Sequence, residues 1–315
     1  MKKQTLFFIF VFIAAVTQSQ TLIDHDPEIS RMVGEISAER IEQHVRKLVS
    51  FHTRHNLSSK NDPQKGIGAA WNWIKSEMEL SVASSGGRLK VEFDDYTVGG
   101  QGQRITKPVA LKNVIATLQG TDPGDDRKIL ISAHLDSRAQ LDNDSTSYAP
   151  GADDDASGIA AILELVRIMS ASKFPATIVF MAVSGEEHGL YGARHIAARA
   201  KDEKWNIIAM LNNDMIGNSS SSETHLNDNM KVRVFSEGVP AYETEEMAAL
   251  RKYTSGENDG RARQLARYIK EISERYVDQL TVTLVFRNDR FGRGGDHSPF
   301  CEKGFTAVRI CEFNE

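Results

Sequence analysis

Residues 176–200 read ATIVFMAVSGEEHGLYGARHIAARA. ATIVFMAVS has the composition of a strand, and residues 190–200 read as a helix. Between them the polar loop SGEEHG carries two adjacent glutamates, Glu186 and Glu187. Working outward, the same alternation recurs. NVIATLQG (113–120), KILISAH (128–134), IIAMLNND (207–214) and MKVRVFSE (230–237) read as strands, as do LTVTLVF (280–286) and FTAVRIC (305–311). Residues 159–169 read as a buried helix, and Leu265, Ile269, Ile272 and Tyr276 mark another. Upstream, Ile41, Val45, Leu48 and Val49 fall on one stripe of a helix over 37–51. Ile67, Trp71, Ile74 and Met78 do the same over 67–80, SSGG then breaks the chain, and Leu89, Val91 and Phe93 alternate as in a half-buried strand. Neither an internal repeat nor a heptad run is visible. Strands and helices in turn predict a three-layer α/β fold, with a mixed, mostly parallel central sheet and helices on both faces.

The chain has 315 residues and opens MKKQTLFFIFVFIAAVTQSQT. Two lysines, an apolar run over 6–16 and then small and polar residues predict a secretory signal peptide over 1–19, cleaved after Ser19. That leaves a single domain, 20–315, exported to a periplasm or secreted. The run is shorter than the ~20 apolar residues of a membrane span, so no stable membrane insertion is expected after cleavage. No cysteine near the cleavage point offers a lipid anchor there. Losing Lys2 and Lys3 takes the formal charge from −5 to −7, the wrong sign for a nucleic-acid binder. Apolar residues make up 40% of the chain, enough for a sizeable core. Cys301 and Cys311 could pair in an exported protein, but spacing does not decide it.

The acids and histidines gather at one edge of this expected sheet. His134 ends a strand and Asp136 follows it; Glu186 and Glu187 follow another; Asp214 ends a third. Asp154 sits in the turn GADDDASG before a helix, and His297 in GGDHSPF before the last strand. Sites in open α/β sheets are built at the carboxyl ends of strands. Singly, each residue reads as a structural histidine, a solvated acid or a helix cap. Jointly they form the His-and-carboxylate donor set of zinc-like divalent metals. Three ligand carboxylates set −3 against the +4 of two divalent ions, and two ions need a shared carboxylate to sit about 3.5–4 Å apart. One member of the run Asp153, Asp154, Asp155 could supply it. Other signatures are missing: there is no G-x-S-x-G elbow, no phosphate loop and no H-E-x-x-H helix. The polar segments 137–150 and 217–229 break the rhythm and read as loops.

The order HLDS, GADDDASG, GEEHGLYG, NNDM, GGDH resembles the co-catalytic di-zinc aminopeptidases of the bacterial leucine aminopeptidase type. Their superfamily also holds glutamate carboxypeptidases and glutaminyl cyclases. The resemblance covers roughly 112–313; the segment before it matches only in general character. It implies two Zn2+ ions, with His134 and Asp214 on one, Glu187 and His297 on the other, and Asp154 bridging. It implies that Asp136 orients His134, that Glu186 is the general base, and that the substrates are peptides with a free N-terminus. It further implies a cis peptide between Asp154 and Asp155. Asp155 is then free to cap the next helix, and Asp153 is left exposed without a role. His188 and His195 have no counterpart among the ligands. Arg293 reads as a surface ion-pair residue, and with Arg290 it is the candidate arginine pair for a carboxypeptidase. Glutaminyl cyclases work with one zinc and carry an insertion between the glutamate pair and LYG; EEHGLYG is contiguous here, which favours the peptidase. A non-catalytic relative would have lost ligands, and this chain keeps them. The family continues past its last strand with a substrate-side loop and a closing helix, whereas this chain stops at ICEFNE, so a truncated product is the expectation.

Overall fold

The computed structural model describes residues 25–220, 225, 227–254, 256–289, 292 and 294–314. The expected signal peptide therefore lies outside the described residues, as do Arg290 and Arg293.

Eight strands form one sheet. They are β1 (Leu89–Val98), β2 (Val109–Leu118), β3 (Arg127–His134), β4 (Thr177–Val183), β5 (Asn206–Asn213), β6 (Lys231–Ser236), β7 (Thr281–Val285) and β8 (Ala307–Glu312), in the spatial order β1-β2-β4-β3-β5-β8-β6-β7. The pairs β3–β4, β3–β5, β5–β8 and β6–β7 are parallel; β1–β2, β2–β4 and β6–β8 are antiparallel. The sheet is mixed, as the alternation predicts.

The helices are α1 (Pro27–Gly34), α2 (Ala38–Val49), α3 (Gly66–Glu79), α4 (Ala156–Met169), α5 (Tyr191–Asp202), α6 (Glu245–Thr254), α7 (Arg261–Tyr276) and α8 (His297–Glu302). All seven residues of β4 are buried, because a central strand is covered on both faces. Its side chains divide with period two. Ile178, Phe180 and Ala182 join the α2, α3 and α4 residues Leu48, Ile74 and Ile159 in one core. Val179, Met181 and Val183 join Ile196, Ala197 and Phe300 from α5 and α8 in the other. A smaller cluster (Val234, Ala262, Ala266, Val282, Val308) seats α7 on β6, β7 and β8. A wholly buried Phe180 contributes on the order of 2–3 kcal/mol.

The helix starts follow from capping. Ser37 Oγ accepts from the Arg40 amide at 3.3 Å to start α2, and Asp155 Oδ1 accepts from the Gly158 amide at 3.0 Å to start α4. Sequence patterning missed α1, α6 and α8. α6 buries no residue, so it has no apolar stripe to read. β2 begins four residues earlier than NVIATLQG, because it pairs with β1 out to Val98 and Val109. His297, placed by the sequence only before the last strand, is the first residue of α8. Cys301 and Cys311 are both buried, and no disulfide joins them. Among the described residues no helix is long and apolar enough to cross a membrane.

Candidate metal centre

The carboxyl ends of β3, β4 and β5 run parallel and side by side, which brings their trailing residues together. His134 Nε2 lies 2.9 Å from Asp154 Oδ1 and 4.0 Å from Asp214 Oδ1. Donor atoms of these three residues all lie within 4.8 Å of one another, the one such group among the described residues. They open on a cavity of about 660 Å³ whose wall also carries Glu186, Glu187, Arg104, Arg138 and Arg309.

Asp136 is wholly buried, and its carboxylate holds the loop after β4. Oδ1 accepts from the amides of Gly185 (2.9 Å) and Glu186 (3.2 Å), and Oδ2 from the Glu187 amide (3.2 Å) and Asn56 Nδ2 (2.7 Å). This grip fixes the backbone of both glutamates. The carboxylate also stands 3.7 Å from His134 Nδ1, which faces the Asp136 carbonyl at 3.1 Å. Asp136 thus orients the histidine mainly through its backbone.

The three aspartates part company. The Asp154–Asp155 peptide is cis, as the resemblance implies. Asp155 caps α4 and in addition ties two strand ends together, accepting from the His134 amide (3.1 Å) and the Met215 amide (3.3 Å). Asp153 is not the exposed residue expected of it. It is half-buried, and its Oδ1 accepts from the Gly217 amide at 2.9 Å, because the chain after β5 turns back across the start of α4.

The site is rich in acid and short of cations. Burial, with Asp154 close by, pushes Glu187 up to about 8. Burial together with Asp214 and Asp296 holds Glu186 well above the usual carboxylate range. Burial opposes a charge on His134, but its hydrogen bonds to Asp136 and Asp154 outweigh that and raise its pKa well above the ordinary value. Buried Asp296 is pushed up to about 8, and neither of its carboxylate oxygens has a hydrogen-bond partner. A divalent cation would relieve this surplus, so the donor set fits a zinc-like metal.

Glu187 lines the cavity but does not join the three-residue group. His297 does not join it either. Its Nε2 faces the Asn288 carbonyl at 2.6 Å, and burial lowers its pKa to about 4. With Nε2 donating to that carbonyl, the neutral ring keeps a buried Nδ1 lone pair without a partner, a donor suited to a metal. His188 and His195 stay away from the group. His188 bridges the Asn56 amide and the Asp142 carbonyl, each at 2.9 Å, while His195 faces Asp94 at 3.3 Å and stacks on Tyr96.

Sequence reasoning missed Asn56, Arg54, Arg138 and Arg309. Arg309 Nη2 donates to Asp214 Oδ1 at 3.2 Å, and Arg138 Nε stands 3.8 Å from Glu187. Asn56 and Arg54 lie in FHTRHN, a cluster of polar residues directly after a helix and the one available signal.

Residues 113–315 match Peptidase family M28. A probable zinc metalloprotease of Leptosphaeria maculans is 44% identical over 290 residues, covering 92% of this chain and 67% of that protein. One from Pyricularia oryzae is 45% identical over 292 residues, covering 92% of this chain and 58% of that protein. The chain therefore spans about three-fifths to two-thirds of the length of these relatives. The Legionella pneumophila LapA aminopeptidase superposes with a TM-score of 0.65 at 20% identity, over 100% of this chain and 68% of that one. An Acidobacteriales bacterium glutaminyl cyclase superposes at 0.59 with 18% identity, over 87% of this chain and 78% of that one. Identities this low carry the fold alone, and the fold is that of the zinc exopeptidases. The match over 113–315, together with relatives above 40% identity, places the chain more narrowly: it belongs to peptidase family M28.

Proposed function

We propose that the chain is an exported di-zinc aminopeptidase that removes N-terminal residues from peptides with a free amino terminus. The observation that carries this reading is the convergence of His134, Asp154 and Asp214 on one cavity with Glu186 and Glu187. His134 and Asp214 would hold one zinc, Glu187 and His297 a second, with Asp154 between them. When bound, zinc supplies a Lewis acid for the substrate carbonyl and lowers the pKa of water toward neutrality. Glu186 takes the proton of the attacking water and passes it to the leaving amine. Burial raises its proton affinity above that of an ordinary carboxylate, which favours taking up the proton before it is handed on. Asp136 keeps Glu186 in place through the loop amides. Export rests on the leader-like residues 1–19.

A glutaminyl cyclase with one zinc is the second reading, favoured by the fact that only three donors converge within 4.8 Å among the described residues. Elemental analysis for zinc, run beside a panel of aminoacyl anilides and peptides with N-terminal glutamine, separates the two. Two zincs per chain with release of aniline are expected. One zinc with cyclisation of glutamine and no anilide hydrolysis overturns the peptidase.

A further inference from the structure

Arg54 is the largest wholly buried side chain among the described residues, and it lies outside the part of the chain that the motifs cover. Its guanidinium donates to four backbone carbonyls: Nε to Leu135 at 2.7 Å, Nη1 to Pro150 at 2.6 Å and to Leu48 at 3.3 Å, and Nη2 to Gly151 at 2.9 Å. Leu135 precedes the loop 137–150, and Pro150 and Gly151 end it. One planar fork therefore ties the loop's two feet to each other and to the end of α2. Ser137 repeats the tie, accepting from the Arg54 amide at 3.0 Å and donating to the Ala149 carbonyl at 2.8 Å.

The Gly151 carbonyl links this clamp to the metal centre. It also accepts from the Ala156 amide at 3.0 Å, which closes the turn on which Asp154 stands. Gly151 has φ +46°, and a Cβ there would meet the Asp154 carbonyl at 2.4 Å, Ser137 Cβ at 2.7 Å and Arg54 Nη2 at 2.9 Å. The guanidinium, the loop foot and the Asp154 backbone thus meet at one point with no spare room.

We propose that Arg54 is a positioning residue for the metal centre: its clamp on Gly151 sets where the Asp154 carboxylate stands relative to His134. A plain structural staple would serve equally well anywhere in the fold. This one holds the turn whose aspartate faces His134 Nε2 at 2.9 Å. Lysine could not replace it, because a single ammonium cannot reach carbonyls spread over three segments.

The inference rests on the metal-centre reading, so its test reads zinc binding as well as turnover. Arg54→Lys keeps the charge and loses the fork. Gly151→Ala leaves every donor in place and pushes the clamp and the turn apart. Glu164→Gln, at a buried ion-pair hub between α2 and α4, is the structural control. Zinc affinity is measured by competition with a chromophoric chelator, with zinc-free Tm, circular dichroism, and kcat and KM for an aminoacyl anilide. Both clamp variants should bind zinc at least tenfold more weakly, with kcat falling further than KM rises. Glu164→Gln should lower Tm and keep the native zinc affinity. Zinc affinity within twofold of native in both clamp variants overturns the proposal, as does equal weakening in the control. Should Arg54→Lys not fold, Gly151→Ala decides; loss of fold in both assigns Arg54 to the framework and also overturns it. A native chain that binds no zinc refutes the metal centre itself, a distinct result.

Discussion

Two sets of buried carboxylates in this molecule behave in opposite ways. Glu164 on α4 has a side chain only 2% exposed, and it accepts from the Ser37 amide, Arg40 Nε and two nitrogens of Arg167. Burial alone would raise its pKa, but these donors outweigh it and hold Glu164 near 2. Glu187, at the sheet edge, is pushed up to about 8, with Arg138 no nearer than 3.8 Å. The first set is complete as folded, since its arginines neutralise it and it joins α2 to α4. The second is a surplus of acid that, for want of a paired cation, keeps its protons at neutral pH. Buried acid without its own cation is the physical mark of a site for something that brings positive charge.

The largest expected effect tests whether Glu186 does chemistry or only belongs to the surplus. Glu186→Gln should cut kcat by about a thousandfold, the contribution of a positioned general base, while leaving zinc content unchanged. Near-native turnover in this variant would show that the proton is carried elsewhere.

Zinc removal should come next in size. A thousandfold excess of zinc over its Kd contributes about 4 kcal/mol of folding stability, which a chelator should abolish. The two carboxylate sets then predict opposite pH slopes. Folded Glu187 binds its proton more tightly than the unfolded chain does, where glutamate titrates near ~4.3. Zinc-free protein should therefore lose stability as pH rises from about 4.3 through about 8, the interval between the two pKa values. Urea midpoints at either end of that interval, with and without chelator, measure it. A zinc-free protein that gains stability as pH rises over this range would contradict the reading of an acid surplus.

Glu164 should show the reverse. Glu164→Gln is expected to cost about 2 kcal/mol at neutral pH, the scale of hydrogen bonds to a charged group. The folded pKa of about 2 lies below the unfolded value, so this stabilisation is whole above the unfolded pKa and fades as pH falls through 2. The difference in urea midpoint between native and variant protein should therefore shrink on acidification. A difference that stays constant down to pH ~2 would mean that the Glu164 charge contributes nothing.

What could be read from sequence follows the same division. The apolar run of β4, six of its seven residues, and the stripe of α2 carry their burial in their own spacing, and both elements lie where that spacing puts them. His134 and Asp214 were legible because each ends or follows a readable strand, and parallel strands bring such ends together, while Asp154 was legible in the turn that leads into the readable helix α4. Arg54 and Asn56 were not. Their partners Leu135, Pro150, Gly151 and Asp136 lie far along the chain, and a side chain that bonds to distant carbonyls or a distant acid imposes no period on its neighbours. His297 was legible as a residue but not as a position, because the six-residue α8 is too short to show a stripe.

The smallest effect is expected at Asp153, and it sharpens the boundary between the two sets. Asp153 adjoins Asp154 in sequence, yet its Oδ1 accepts from the Gly217 amide and so holds the turn after β5. Burial raises its pKa, so it carries its charge at a cost, and an uncharged acceptor would serve that amide equally well. Asp153→Asn keeps the acceptor oxygen and should change stability by less than ~0.5 kcal/mol, whereas Asp153→Ala leaves the Gly217 amide without its acceptor and should cost about 1 kcal/mol. Neither should alter zinc affinity. If Asp153→Asn instead weakened zinc tenfold, the charge at this position would count toward the metal. The metal-facing set would then begin one residue earlier, and two adjacent carboxylates, not one, would face the metal.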